Sequence, residues 1–224
     1  MTTVRERLVL DIHGIGPKPA WIEANEDYFW CDERATFEAM LDVINIDHGI
    51  DVELTFDDGN ASDATIAVPA LLARGLKATF FVCAGRIGSP GYIDKAALLD
   101  MHAAGFAIGS HGWSHVDWRR TDDATLDHEV NGAKSRIEDT IGAVVDSVAI
   151  PFGSYDRRVM RSLGAFDTVY TSDDGMAQAG ARIVSRWSYN KGWQDNTLTR
   201  LATDRESVAV RVKRAVKIAL KQRR

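Results

Sequence analysis

Short apolar, often β-branched runs recur along the chain at residues 8–12, 52–56, 78–83, 106–109, 147–151 and 168–171. Runs of this length with little polar alternation read as strands buried on both faces, the pattern of a parallel sheet. Between them the apolar period changes. Phe37, Met40, Leu41 and Ile44 share one helical face after Asp32, a residue able to cap, and 62–74, 94–104 and 121–141 show similar spacing before Gly75, Gly105 and Gly142. Pro69 falls inside one of these patterns and predicts a kink or interruption there. Strand then helix, repeated, predicts an α/β fold in which ligands gather at the carboxyl ends of the strands. The residues at those ends are Asp11 and His13, Asp57 and Asp58, His111, Phe152, and Asp173 with Asp174.

Composition narrows the class. With 224 residues, 45% hydrophobic and 26% charged, the chain can bury a large core as one domain of barrel size, which excludes disorder and disulfide-rich scaffolds. Cys31 and Cys83 stand 52 positions apart in no metal or redox spacing, so they read as isolated thiols suited to a reducing compartment. The apolar start at Leu8 to Leu10 is broken by Asp11, too short for a signal-peptide core, and no stretch approaches the roughly 18 apolar residues of a spanning helix. The expectation is a soluble, cytoplasmic protein. A net charge of -5 argues against nucleic acid as a partner.

That charge is unevenly spread. Residues 205–224 carry eight basic side chains and one acid, Glu206, which leaves 19 basic and 31 acidic side chains in 1–204. Val208, Val212, Ala215, Val216, Ala219 and Leu220 fall at helical spacing among these cations, so an acidic body, 1–204, carries a basic amphipathic helix, 205–224. Two accounts of the helix stand: its apolar stripe packs on the barrel with the charges in solvent, or it makes peripheral contact with an anionic membrane or an acidic partner.

Three segments carry candidate chemistry. Thr55-Phe56-Asp57-Asp58-Gly59 follows an apolar strand. Neighbouring residues on an extended chain point differently, so one carboxylate can ligate a metal while the other faces water or substrate. The plainer account is a polar turn with a capping Asp. Ser110-His111-Gly112-Trp113-Ser114-His115 holds two histidines at i and i+4; on a helical turn these share a face and can hold a divalent ion such as Zn²⁺. Joined to Asp58 they form a His₂-carboxylate set with open positions for water, as catalytic zinc requires. In Ile150 to Asp156, Pro151 and Gly153 stop a strand and leave the Phe152 N–H to face a ligand, where it can help hold an oxyanion, unless the segment is an ordinary turn. Trp113, Trp118 and Tyr155 can stack on sugar rings or pack in the core.

The order and spacing of TFDDG, SHGWSH and IPFGSYD, with LKATFFV at 76–82, resemble the polysaccharide deacetylase family, the carbohydrate esterases with a NodB-type homology domain. The likeness covers roughly residues 7–190. It implies a distorted, incomplete (β/α) barrel that removes N- or O-acetyl groups from glycans with a divalent metal, usually zinc. Matched position by position, Asp58, His111 and His115 would be metal ligands, Asp57 the general base, and the Phe152 backbone N–H an oxyanion donor. The implied partner is an acetylated sugar, oligosaccharide or polysaccharide precursor.

Two departures from the family pattern bear on mechanism. Ala149 stands where the third motif often has an Arg that orients the catalytic Asp, so control of Asp57 must come from elsewhere, with Arg186 a candidate for that and for substrate contact. The late Leu-x-His that supplies the general acid is missing, since no His follows His128. His13 is the histidine outside the metal pair that lies at a strand end; Asp57 after taking a proton, or a water, are the other candidates. Trp113 and Tyr155 are candidate substrate contacts. Two further readings keep the site but change the function: hydrolysis of another non-peptide C–N amide, and an inactive metal- and glycan-binding protein. Against the second stands Asp57, which a pure binding site does not need.

Overall fold

The computed structural model describes residues 6–20, 22, 24–46, 51–204 and 207–223. Among the described residues nine strands form one sheet: β1 (Glu6–Ile12), β2 (Asp51–Asp58), β3 (Ala78–Val82), β4 (Ala107–Ser110), β5 (Ser147–Ala149), β6 (Thr168–Thr171), β7 (Ala177–Gln178), β8 (Ile183–Ser185) and β9 (Trp187–Ser188). Their order is β7-β1-β2-β3-β4-β5-β6-β8, with β1 through β6 and β8 parallel along that path, and β9 pairs in parallel with β1. A single residue, Arg186, separates β8 at one end of this path from β9 beside β1. The chain there spans the seam, and the sheet curls into a nearly closed, distorted barrel with helices outside it.

Strand periodicity divides the core in two. Leu8, Leu10 and Ile12, Leu54 and Phe56, Phe80 and Val82, Ile108, Val148 and Val169 face the helices in one large cluster. The alternate residues Val9, Phe81, Ala149, Tyr170, Ala177 and Val184 form a small cluster inside the barrel. This interior is tight: a Cβ on Gly109 would sit 2.4 Å from the Phe81 ring. Inward positions one or two residues further along the strands are polar, and this is where the sheet turns from packing to chemistry.

The six apolar runs are all strands, with shifted ends. β2 continues through Asp57 and Asp58, and β5 stops at Ala149 before a 3-10 turn at Pro151–Gly153. β7, β8 and β9, two or three residues each, are too short to leave a periodic signal. The first expected helix runs Arg34–Ile44, but its N-cap is Glu33 rather than Asp32 and makes no capping hydrogen bond. Asp32 instead pairs with Lys191 at 2.7 Å. The 62–74 pattern is interrupted as Pro69 predicts: a π turn, Asp63–Ala67, leads into the helix Val68–Ala73, because proline offers no N–H to a regular α ladder. Asp94 caps Lys95–Ala103 by accepting from the Ala97 N–H, and Ala133–Ile141 ends at Gly142 in the left-handed conformation.

The last helix, Val208–Arg223, packs the other way round from the first account. Residues 205, 206 and 224 of the expected segment lie outside the described residues. Val208, Val212, Val216 and Leu220 are 76%, 55%, 53% and 52% exposed, and no residue of the helix is buried. Contact with the body runs through cations: the Arg214 guanidinium lies 5.6 Å from the Trp187 ring centre, and Lys221 reaches Asp173. The body offers a buried carboxylate and aromatic faces at this point, so it attracts charge rather than the valine stripe. Cys31 and Cys83 are buried and unpaired. Among the described residues no helix is long and apolar enough to cross a membrane.

Candidate active site

The three chemistry-bearing segments meet at the carboxyl ends of β2, β4 and β5. Alternation along β2 aims Asp57 into the barrel beside Thr55, while Asp58, at φ +79°, turns its carboxylate aside with Gly59 following at φ +71°. His111 follows β4 directly and is buried. Its Nδ1 lies 2.9 Å from the Ala149 carbonyl oxygen, which as acceptor fixes the proton on Nδ1 and leaves Nε2 for the site. That Nε2 stands 3.7 Å from both Asp57 Oδ2 and Asp58 Oδ1.

His115 joins by a different route from the helical turn that its spacing implied. Residues 111–117 form a loop, with Gly112 at φ +81° and His115 at φ +58°. The two imidazoles still converge, 5.1 Å between ring centres, and His115 Nε2 is 3.3 Å from Asp58 Oδ1. A buried carboxylate shapes this loop. Glu129 accepts the backbone N–H of Trp113 at 2.9 Å and of Ser114 at 3.0 Å, and the Trp118 indole N–H at 3.4 Å. A side chain on Gly112 would strike the same carboxylate at 2.9 Å. Sequence reasoning missed Glu129 because nothing in a charged helical stretch marks one acid as the inward one.

Asp58, His111 and His115 fit a divalent cation. Ligand atoms about 2.0–2.1 Å from a tetrahedral ion stand about 3.3 Å apart. The carboxylate-to-imidazole distances here are 3.3 and 3.7 Å, and all three ligand atoms lie within 4.8 Å of one another. Asp58 Oδ1 is buried and accepts no hydrogen bond among the described residues, its ion pair with Arg86 being long at 3.5 Å, so it is left able to meet a cation. Burial lowers the His111 pKa to about 4 and lowers that of His115, so both imidazoles are in the neutral, ligating form. Asp11, His13 and Asp57 are equally close to each other, but the Arg186 guanidinium already occupies the space between the two carboxylates.

Arg186 is fully buried and bidentate on Asp57: Nη1 donates to Oδ1 and Nη2 to Oδ2, each at 2.7 Å. Nη1 also reaches Thr55 Oγ1 at 3.1 Å and Asp11 Oδ1 at 3.3 Å, and the guanidinium lies over the Phe81 and Tyr170 rings. Burial by itself would push the Asp57 carboxyl up, but Arg186 and the neighbouring His111 outweigh it and hold Asp57 well below the usual carboxylate range. Burial disfavours the His13 cation, yet Asp11, Asp58 and Asp57 together raise its pKa. His13 Nδ1 is buried without a hydrogen-bond partner among the described residues.

The expected substrate contacts fare differently. Arg186 has no exposed surface, so substrate contact is corrected to a position beneath Asp57. Tyr155 is buried as well, its hydroxyl donating to Asp173 Oδ2 at 2.6 Å, and it presents no ring face to a sugar. Trp113 remains partly exposed, its ring centre 4.3 Å from that of His128 and tilted by 40° to it. Phe152 is 55% exposed at φ +59°, its ring 4.5 Å from that of His115, and its N–H meets no acceptor among the described residues. Its neighbour Gly153 is held from behind: Lys221 Nζ donates to the Gly153 carbonyl at 3.1 Å and to Asp173 Oδ1 at 2.5 Å. Asp58, His115 and Phe152, three of the four described non-glycine residues at positive φ, therefore ring one small space.

The chain matches the family model described as polysaccharide deacetylase over residues 46–170. It is 32% identical over 111 residues to a chitin deacetylase of Pestalotiopsis sp, covering 50% of this chain and 37% of that one. It is 25% identical over 123 residues to chitin deacetylase 1 of Cryptococcus neoformans, covering 53% of this chain and 25% of that one. The match thus spans well under half the length of these curated relatives. Among solved structures, the Streptococcus pyogenes deacetylase PplD in complex with acetate superposes with a TM-score of 0.78 at 18% identity, over 89% of this chain and 99% of that one. A Bacillus cereus polysaccharide deacetylase gives the same TM-score and identity over 91% and 71%. At these identities the structural matches show a shared fold.

Proposed function

The chain belongs to the polysaccharide deacetylase family, and from that premise we propose that it is a metal-dependent hydrolase that removes acetyl groups, N-acetyl above all, from a sugar, oligosaccharide or polysaccharide precursor. Asp58, His111 and His115 would hold the divalent ion, for which zinc suits two neutral imidazoles and one carboxylate. Such an ion supplies polarisation of the acetyl carbonyl and lowers the pKa of water towards 7. Asp57 takes the proton of the attacking water, and Arg186 keeps that carboxylate ionised and aimed. The Phe152 N–H donates to the oxygen that gains charge as the carbonyl becomes tetrahedral. His13, whose neighbouring carboxylates favour its protonated form, delivers a proton to the leaving amine. The buried, unpaired Cys31 and Cys83 support a reducing, cytoplasmic setting.

The observation that carries this reading is the buried Asp58 oxygen, which accepts no hydrogen bond among the described residues and faces two neutral imidazoles, with a second, ion-paired carboxylate beside it. A site for binding alone has no use for that second carboxylate. The test is acetate release from N-acetylated oligosaccharides by purified protein, before and after chelator treatment and metal restoration. Chelation should abolish release, and Asp57→Asn should abolish it while metal content is kept. Full activity in either case would overturn the mechanism. Burial of Trp118 and Tyr155 removes two of the three expected sugar platforms, which favours a second reading, hydrolysis of an acyl amide on a non-sugar framework. A panel of N-acyl substrates separates the two.

A further inference from the structure

The last helix turns its aliphatic ridge to solvent. Val208, Val212, Val216 and Leu220 recur every fourth residue, so they line one outer ridge, and each is more than half exposed. Lys213, Lys217 and Arg223 border that ridge and are exposed, and residues 207–223 contain no acid. The cations on the opposite face are engaged with the body, Arg211 on Glu6, Arg214 over Trp187 and Lys221 on Asp173. The exposed ridge is therefore not a helix that failed to dock. It is docked by its charged face, with its apolar face left outward.

From this arrangement we infer that the outer face of Val208–Arg223 seats on an anionic lipid surface. Aliphatic tips of this size enter the boundary between headgroups and acyl chains, and the flanking lysines extend alongside to the phosphates. Charge decides between occupants. A second copy of the same helix would bring Lys213 and Lys217 against like charges, whereas anionic headgroups neutralise them. The body, with 19 basic and 31 acidic side chains in 1–204, is net acidic and as a whole repelled by such a surface, which favours approach through this helix. In that orientation the rim at Phe152 and Gly153, touched by the inner face of the same helix, lies about one helix diameter, 10 Å, from the lipid. Resting on the deacetylase reading, this placement selects a membrane-anchored, lipid-linked glycan as substrate class.

The test is co-sedimentation of the full chain with vesicles of mixed phosphatidylcholine and phosphatidylglycerol against vesicles of phosphatidylcholine alone. The anionic vesicles should bind it at least about tenfold more tightly, with the preference lost in high salt. The triple variant Val212→Ser/Val216→Ser/Leu220→Ser should lose most of this binding, and Lys213→Gln/Lys217→Gln should lose the preference for anionic lipid. Both should keep wild-type circular dichroism and wild-type acetate release from a soluble substrate, since neither touches the site. Equal partitioning to both vesicles, or unchanged binding of the triple variant, overturns the inference. So does a wild-type dimer in sedimentation that the triple variant converts to monomer without any vesicle binding. Vesicle binding is read apart from activity, so absence of acetate release in the wild type would fail the deacetylase reading and leave the docking result standing.

Discussion

Arg186 and Asp57 are 129 positions apart in sequence and joined by two 2.7 Å hydrogen bonds inside the barrel. The pairing depends on the seam of the sheet. Arg186 is the single residue between β8 and β9, and its guanidinium reaches inward over the Phe81 and Tyr170 rings. An arginine delivered from the seam thus pairs with Asp57, while position 149 on β5 holds an alanine.

Replacing Arg186 should separate orientation from metal binding. Arg186→Met leaves Asp57 buried and unpaired, at a cost of about 3–5 kcal/mol in stability. Turnover should fall about a hundredfold or more while bound metal stays stoichiometric, and Arg186→Lys should recover part of the rate because it restores charge without the bidentate fork. Metal analysis alongside kcat checks this; loss of metal in step with activity would instead make Arg186 a support of the metal site.

Metal-free protein should weaken in mild acid. Burial lowers the folded His111 pKa to about 4 from an ordinary 6.5, so between those values the unfolded chain binds a proton that the folded chain refuses. Stability is complete above about pH 6.5 and is lost as pH falls through 4, by about 3 kcal/mol from this residue. Melting temperatures of chelated protein between pH 7 and 4 should show this slope, and His111→Gln should flatten it. The same slope in the variant would place the sensitivity elsewhere.

Glu129 should govern metal affinity without touching the metal. Its carboxylate gathers the Trp113 and Ser114 amides and the Trp118 indole, and these hold the loop that carries His115. Glu129→Ala strands those donors and should weaken metal binding about tenfold to a hundredfold. Competition with a chromogenic chelator measures it; wild-type affinity in a folded variant would show that the loop holds its shape unaided.

Lys221 should influence turnover from the far side of the Phe152 loop. It donates to the Gly153 carbonyl and to Asp173, which also accepts from Tyr155. Lys221→Met should loosen the Phe152 N–H and lower kcat about tenfold with little change in KM or metal content, and Lys221→Arg should restore part of the loss. A change confined to KM would contradict this.

Helix ends and strand ends show where local reading stops. The Pro69 interruption and the Gly142 terminus follow from the chemistry of single residues, so they were legible without neighbours. Asp32 was not, because its preference for a cap lost to an ion pair with Lys191, a residue distant in the chain. His111 and His115 come together by another route than their spacing argues: it points to a helical face, and a loop bent by Gly112 and Glu129 brings the rings within 5.1 Å.

What the sequence determined by itself was therefore the alternation of buried strands and amphipathic helices, the strand ends where polar side chains collect, and the three segments that meet there. Periodicity and motif order are local, and they survive any arrangement of the rest. Tertiary structure decided that Arg186, only a candidate in the sequence, pairs with Asp57, that Tyr155 and Arg186 lie beneath the surface, and that the last helix turns Arg214 and Lys221 inward while its valine ridge faces out. Each depends on contacts between residues far apart in the chain, where buried carboxylates and aromatic faces compete for charge more strongly than any local preference can signal.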